Sequence, residues 1–92
     1  MITSFRCKHT EALFRGEPTN RFRAFQAAAE RKLQMLDIAR HIDDLRMPPG
    51  NRLEALKGGR LGQWSIRIND QWRLCFRFEA GNAYAVEIVD YH

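Results

Sequence analysis

The fold is decided by residues 64–78, which read Trp64-Ser65-Ile66-Arg67-Ile68-Asn69-Asp70-Gln71-Trp72-Arg73-Leu74-Cys75-Phe76-Arg77-Phe78. Apolar and polar side chains alternate on both sides of Asn69-Asp70-Gln71, which is typical of a turn. Because successive side chains of a strand point to opposite faces, the pattern predicts two antiparallel strands, 64–68 and 72–78. The even-numbered face is aromatic and aliphatic, so we expect it to pack on the core. The odd-numbered face carries Ser65, Arg67, Arg73 and Arg77, and we expect it to stay open to solvent.

Towards the C-terminus, the alternation continues in a third strand of the same sheet. A second turn is expected at Ala80-Gly81-Asn82, and the strand is expected to run from about Ala83 to Val89. Regular alternation places Tyr84, Val86, Ile88 and Asp90 in one phase and Ala85, Glu87, Val89 and Tyr91 in the other. Asp90 and Tyr91 are therefore expected on opposite faces.

Towards the N-terminus, the apolar residues recur at the spacing of an α-helix. The stripe Phe22, Phe25, Ala29, Leu33 and Leu36 predicts one long helix from residue 21 to about 45, ending before Met47-Pro48-Pro49-Gly50. A short strand is expected at residues 2–7 and a short helix at 9–15. Together the elements predict an α+β fold, with N-terminal helices packed on one face of a small, mostly antiparallel β-sheet and residues 1–92 forming a single domain.

The charge of the chain suits a nucleic-acid partner. The net charge is +4, and 12 of the 15 basic residues are arginines. A guanidinium group is planar and matches the oxygens of a phosphate, so an arginine bias is typical of proteins that bind RNA or DNA. Codon preference in the source genome would produce the same bias, so composition alone does not decide between the two interpretations.

Composition also excludes several classes of protein. No apolar run approaches the ~20 residues needed to cross a bilayer, and Met1-Ile2-Thr3-Ser4-Phe5-Arg6 lacks the apolar core of a signal peptide. We therefore expect a cytoplasmic protein without a membrane segment. Cys7 and Cys75 form no Cys-x-x-Cys pair and have no nearby histidine at metal-binding spacing, so we interpret them as small apolar strand residues and expect no metal or cofactor.

Three segments of the chain resemble the HigB toxins, a branch of the RelE/ParE superfamily. They are residues 51–58, residues 62–76 and residues 86–92. The motifs Leu56-Lys57-Gly58, Asp70-Gln71-Trp72-Arg73 and Asp90-Tyr91-His92 are each weak alone, but their order and spacing are specific. The similarity covers nearly the whole chain.

The resemblance implies a RelE-like, microbial ribonuclease-type fold and a toxin of a type II toxin–antitoxin system. It implies a ribosome-dependent endoribonuclease (an mRNA interferase) that cleaves mRNA in the A site of the 30S subunit and so inhibits translation. It also implies a cognate HigA-like helix-turn-helix antitoxin, which forms a hetero-oligomer with a toxin that is otherwise monomeric. A ParE-like inhibitor of DNA gyrase and a non-catalytic RNA-binding module are the alternative functions.

Carried onto this sequence, the resemblance identifies a set of catalytic residues: Glu54, Lys57, Arg73, Asp90, Tyr91 and His92. RNA cleavage by side chains alone requires a base for the 2′-hydroxyl, cations for the negatively charged transition state and an acid for the departing 5′ oxygen. We expect Glu54 to be the base and His92 the acid. Arg73 and Lys57 would stabilise the transition state, while Asp90 and Tyr91 would orient a basic residue or contact RNA.

Alternative roles stay open for several of these residues. Some HigB toxins carry histidine three residues before the lysine, where this chain has Glu54, and this carboxylate would equally serve as a surface partner of Arg52 or Lys57. A terminal histidine such as His92 is otherwise frayed and inert. We expect Arg60, Arg67 and Arg77 to bind RNA, although these arginines would also serve merely to solubilise the sheet.

Overall fold

A four-stranded antiparallel sheet and two α-helices form the framework of the chain in a computed structural model, which describes residues 1–90. The helices are α1 (Lys8–Phe14) and α2 (Gln26–Ile38). The strands are β1 (Glu54–Ala55), β2 (Trp64–Arg67), β3 (Trp72–Glu79) and β4 (Asn82–Asp90), and they lie in the order β1-β2-β3-β4. The predicted fold class, helices on one face of a mostly antiparallel sheet, is confirmed.

The central hairpin β2–β3 lies where the alternation predicted it. Arg67 pairs with Arg73 and Trp64 pairs with Phe76 across the two strands. The side chain of Asn69 closes the turn, because its Oδ1 accepts the backbone N–H groups of Gln71 at 2.9 Å and Trp72 at 2.8 Å. This is the local bonding that favours asparagine in turns.

The prediction of one helix over residues 21–45 is wrong in its bounds. The apolar stripe is real, since Phe22, Ala29, Leu33 and Leu36 are all buried. However, α2 stops at Ile38, because Ala39 has extended backbone angles. The Asp44 carboxylate then accepts the backbone N–H groups of Arg40 and His41, which lowers the pKa of Asp44 and starts a separate 3-10 helix, Ile42–Arg46. No helix within residues 1–90 is long and apolar enough to span a membrane.

The N-terminal segment does not form the regular strand predicted for residues 2–7. Instead, Ile2 and Phe5 make isolated parallel bridges to Ala83 and Val86 of β4. Ile2 is also tied to α2, because its backbone N–H donates to Asp37 Oδ1 at 2.8 Å. The first residues therefore connect the helical layer to the edge of the sheet.

Strand β4 contains a β-bulge that reverses the predicted alternation. Cys75 pairs with Glu87 but Arg77 pairs with Tyr84, so β4 has one residue more than β3 over this stretch. Ala85, within the bulge, has a positive φ of 52°. Tyr84 consequently shares the face of Arg77, whereas Val86 and Ile88 enter the core. The expectation that Tyr84 shares a face with Val86 and Ile88 was wrong, because an extra residue changes the phase of a strand.

The odd-numbered face of the hairpin is not open along its whole length, contrary to the prediction. Ser65 and Cys75 are fully buried. Arg60, in the 3-10 turn Gly58–Arg60, extends across this face to Glu87 of β4 at 2.9 Å. We call this side, opposite to the helices, the outer face of the sheet.

The loop before β1 is held in place by one buried amide. Asn51 has no exposed surface, and its Nδ2 donates to the carbonyl oxygens of Leu45 at 3.1 Å and Met47 at 3.4 Å. Its Oδ1 accepts a hydrogen bond from Lys32 Nζ of α2 at 2.5 Å. The position of residue 52 therefore depends on bonds made by residue 51.

Replacing Asn51 by alanine tests this anchor. The variant leaves the carbonyl groups of Leu45 and Met47 and the Lys32 ammonium without their partner, so we expect the free energy of unfolding to fall by about 1–3 kcal/mol. Urea unfolding followed by circular dichroism measures the change. Asn20→Ala removes an exposed amide and should alter stability by less than about 0.5 kcal/mol. Equal stabilities of the two variants would contradict the assigned role.

Candidate active site

Arg73, the second residue of β3, lies on the outer face and is held in a fixed orientation. Its side chain is only 11% exposed. Nε donates to the Ser65 hydroxyl at 2.8 Å, and Nη2 donates to the Arg52 carbonyl oxygen at 2.7 Å. The partners come from two different elements, β2 and the loop before β1, so the plane of the guanidinium is determined by both. A cation already held in a fixed orientation needs little reorganisation to stabilise negative charge that develops beside it.

The Arg52 carbonyl reaches Arg73 because of an uncommon backbone conformation. Arg52 follows the 3-10 turn Pro49–Asn51 and lies in the left-handed region, with φ 46° and ψ 55°. A residue with a side chain pays a steric cost in this region, on the order of 1–2 kcal/mol. The anchoring of Asn51 and the hydrogen bond to Arg73 hold the residue there.

Glu54 lies beside Arg73. It begins β1, pairs with Ser65 of β2, and has a half-exposed side chain. Its Oε1 is 3.7 Å from Arg73 Nη2. The structure thus brings together the residue predicted to be the base and the residue predicted to bind phosphate, although they are 19 positions apart in the sequence.

A polar cleft of about 480 Å³ opens next to these residues. It is lined by Gly50, Arg52, Arg67, Asn69, Asp70 and Arg73. Arg67 lies directly opposite Arg73 on the neighbouring strand and forms an ion pair with Asp70. We call this feature the arginine cleft, because three of its six lining residues are arginines.

The remaining predicted catalytic residues are distributed differently. Lys57 is exposed just after β1, and its side chain makes no hydrogen bond or ion pair with any residue between positions 1 and 90.

Asp90 pairs with Trp72 at the end of β4 and accepts a hydrogen bond from Gln71 Nε2 at 3.0 Å. It therefore takes the strand phase of Trp72, opposite to that of Arg73. Tyr91 and His92 lie outside the described residues.

The three arginines predicted to bind RNA have different surroundings. Arg67 lines the arginine cleft. Arg60 donates to Gln63 at 3.0 Å and to Glu87 at 2.9 Å, so it ties the Gly58–Arg60 turn to β4.

Arg77 is exposed next to Gly62, four residues along β3 from Arg73. At the rise of a strand this separation is about 13 Å, so Arg77 lies away from the cleft.

Three contributors to this site were missed in the sequence. The Arg52 carbonyl oxygen and the Ser65 hydroxyl accept hydrogen bonds from Arg73 and so orient it. Asn69 lines the cleft. Ser65 was detectable in principle, because a four-residue loop between Arg67 and Trp72 places residue 65 diagonally across from Arg73. No sequence signal marks Arg52, since its conformation depends on the tertiary anchor at Asn51.

The outer face beside Arg73 is shielded from solvent at Ser65 and Cys75, which are fully buried. Burial raises the pKa of the Cys75 thiol to about 11. The positive charge of Arg60 lowers this pKa and the negative charge of Glu87 raises it, both by less than burial does.

In residues 1–90, no three histidine, cysteine, aspartate or glutamate side chains are grouped so that they could hold a metal ion.

The fold defines the class of protein. The structure aligns with YafQ from Escherichia coli strain BL21(DE3) with a TM-score of 0.62 and 13% identity, covering 98% of this chain and 91% of that one. It also aligns with the YoeB/ParE toxin from Agrobacterium tumefaciens with a TM-score of 0.51 and 19% identity, covering 99% and 96% of the two chains. The architecture is therefore that of the RelE-like toxins.

Sequence comparison gives the particular family. A family model described as the RelE-like toxin of the type II toxin–antitoxin system HigB matches residues 3–92. The chain is 40% identical to Toxin HigB-1 of Vibrio cholerae over 85 residues, which is 90% of each protein. It is 37% identical to Endoribonuclease HigB of Proteus vulgaris over the full length of both. The chain belongs to the HigB-like toxin family, as its motifs predicted, and is the toxin of a type II toxin–antitoxin system, which implies an antitoxin partner.

Thiol labelling tests the coverage of the outer face. In a Cys7→Ser variant, Cys75 is the remaining thiol. Near pH 8, a pKa raised from 9.0 to about 11 lowers the thiolate fraction by ~100-fold, and burial slows labelling further. We therefore expect Cys75 to react with a thiol reagent only after unfolding. Arg60→Ala, introduced in the same background, should accelerate labelling of the native protein. Rapid labelling of the folded Cys7→Ser protein, without Arg60→Ala, would show that the outer face is open to the reagent.

Proposed function

We propose that this toxin is a ribosome-dependent endoribonuclease that cleaves mRNA in the A site and thereby inhibits translation. Its endoribonuclease activity is supported by membership of the HigB-like family and by the name of the Proteus vulgaris relative. The observation that carries the proposal is the pair formed by Glu54 and Arg73. A half-exposed carboxylate lies 3.7 Å from a fixed guanidinium at the edge of a basic cleft.

The reaction that fits this pair is an internal transesterification of RNA. Glu54 takes the proton of the 2′-hydroxyl, and the 2′ oxygen then attacks the adjacent phosphorus. The bond from phosphorus to the 5′ oxygen breaks, and His92 donates a proton to that oxygen. The products are a 2′,3′-cyclic phosphate and a free 5′-hydroxyl.

Arg73 stabilises the negative charge that develops on the phosphoryl oxygens. A guanidinium can donate two parallel hydrogen bonds to such oxygens, and in a site with little water each bond is stronger than in solution. Lys57 supplies a second, exposed cation on the chain that follows Glu54. Asp90 and Tyr91 orient the basic groups or contact the RNA, and Arg60, Arg67 and Arg77 bind its backbone.

The proposed setting is the cytoplasm, where the single toxin domain, residues 1–92, acts on the 30S subunit of translating ribosomes. The cognate antitoxin is a HigA-like helix-turn-helix protein that forms a hetero-oligomer with the toxin. The free toxin is a monomer. The ribosome supplies substrate positioning, which can lower a barrier by roughly 7–11 kcal/mol.

A comparison of translated and free mRNA tests the function. Purified toxin is added to a reconstituted translation reaction and to the same mRNA without ribosomes, and the cut ends are mapped. We expect much faster cleavage of the translated message, with 2′,3′-cyclic phosphate ends, because the ribosome aligns the reacting groups. Arg73→Ala is the inactive control. Equal cleavage rates on the two substrates would refute ribosome dependence, and gyrase inhibition without cleavage would replace the proposed function.

The role of Glu54 is tested by Glu54→Gln. Glutamine keeps the size of the side chain but cannot accept a proton, so we expect the cleavage rate on translated mRNA to fall about 10²–10⁴-fold. Unfolding by urea should change little, because Glu54 is half exposed. The control variant is Glu79→Gln, which replaces an exposed carboxylate at the far end of β3. This variant should remain fully active. Unchanged activity of Glu54→Gln would assign the base to another group.

A further inference from the structure

The arginine cleft contains more positive charge than the proposed reaction requires. Besides Arg73, both Arg52 and Arg67 line it, together with Gly50, Asn69 and Asp70. The Arg52 side chain is exposed and makes no hydrogen bond or ion pair with residues 1–90. Its carbonyl is already bound by Arg73, so the backbone that carries this side chain is fixed at the cleft.

The sheet brings two of these cations directly opposite each other. Arg67 and Arg73 are register partners on β2 and β3. Like charges at opposing positions of an antiparallel pair are destabilising. Glu54 faces Arg73, and Asp70 pairs with Arg67, so in the free protein each arginine has an acidic neighbour.

A further cation, Lys32, lies near the cleft but does not line it. The pKa of Lys32, on α2, is lowered mainly by burial and also by the positive charges of Arg31 and Arg67. Lys32 donates to Asn51, the residue that anchors the loop of Arg52. Lys32 therefore adds positive charge beside the loop that carries Arg52.

We infer that Arg52 and Arg67 form a subsite for a backbone phosphate of the mRNA, next to the phosphate bound by Arg73, and that Asp70 occupies Arg67 until RNA displaces it. The inference builds on the proposed function, since the adjacent phosphate is the one that is cleaved. Asp70 is suited to displacement because its side chain is 97% exposed and pairs with an arginine only three residues away. Surface pairs of this kind contribute little to stability, so an RNA phosphate can replace the carboxylate.

Binding of an uncleavable RNA tests the subsite independently of catalysis. The probe is a fluorescent single-stranded RNA whose 2′ positions are methylated, and its anisotropy is measured with the full chain over a series of salt concentrations. Arg52→Gln and Arg67→Gln should each weaken binding about three- to tenfold and reduce the salt slope by about 0.7, because each removes one phosphate contact with a single strand. Asp70→Asn should strengthen binding about two- to fivefold, because Arg67 is released.

The chain offers a matched control for both types of variant. Arg46 and Asp43 form an exposed ion pair with the same spacing of three residues, outside the cleft. Arg46→Gln and Asp43→Asn change the net charge by the same amounts and should alter binding less than about twofold. If Asp70→Asn and Asp43→Asn change the affinity for the RNA equally, the change in net charge explains the effect and the inference is overturned.

The ribosome provides the second arm of the test. If Arg52→Gln and Arg67→Gln weaken binding to vacant ribosomes but not to the oligonucleotide, the subsite belongs to ribosomal RNA, and the assignment to mRNA is overturned. Failure of the proposed function would give a different result. The wild-type toxin would bind the oligonucleotide through the cleft but would not cleave translated mRNA.

Discussion

The hydrogen bond from Arg73 Nε to the Ser65 hydroxyl joins the two central strands on the face opposite the helices. Both groups are largely removed from water, so an unpaired partner on either side would be costly. The bond also fixes the direction in which the guanidinium points, and Glu54, the Arg52 carbonyl and the cleft are arranged around it. Its strength depends on the register of β2 and β3, and thus on the turn at Asn69.

The site concentrates charge where a sheet would ordinarily avoid it. Arg67 and Arg73 face each other, and acidic residues of the same chain, Asp70 and Glu54, moderate the repulsion. A neutral or apolar pair at these positions would favour folding more. The presence of two opposed arginines is therefore explained better by an anionic ligand than by stability. Membership of the HigB-like toxin family supports RNA as that ligand.

Much of the framework was predictable from the sequence, because the hairpin at residues 64–78 carries a strict alternation and an explicit turn. The same pattern placed Arg67 and Arg73 on one face, and the family motifs brought Glu54 into consideration. The end of α2 at Ile38 was not predictable, since the carboxylate of Asp44 competes for the backbone there. The bulge at Ala85 and the conformation of Arg52 also escaped prediction, because tertiary contacts set both.

The bulge divides β4 into two stretches that keep their own registers against β3. The stretch beside the Ala80-Gly81 turn pairs Tyr84 with Arg77, and the stretch beside the candidate active site pairs Glu87 with Cys75. A residue gained or lost near the turn would shift only the first stretch, because the bulge absorbs a change in strand length. The hairpin end of β4 can therefore change in length without displacing Val89 and Glu87, which pair with Arg73 and Cys75.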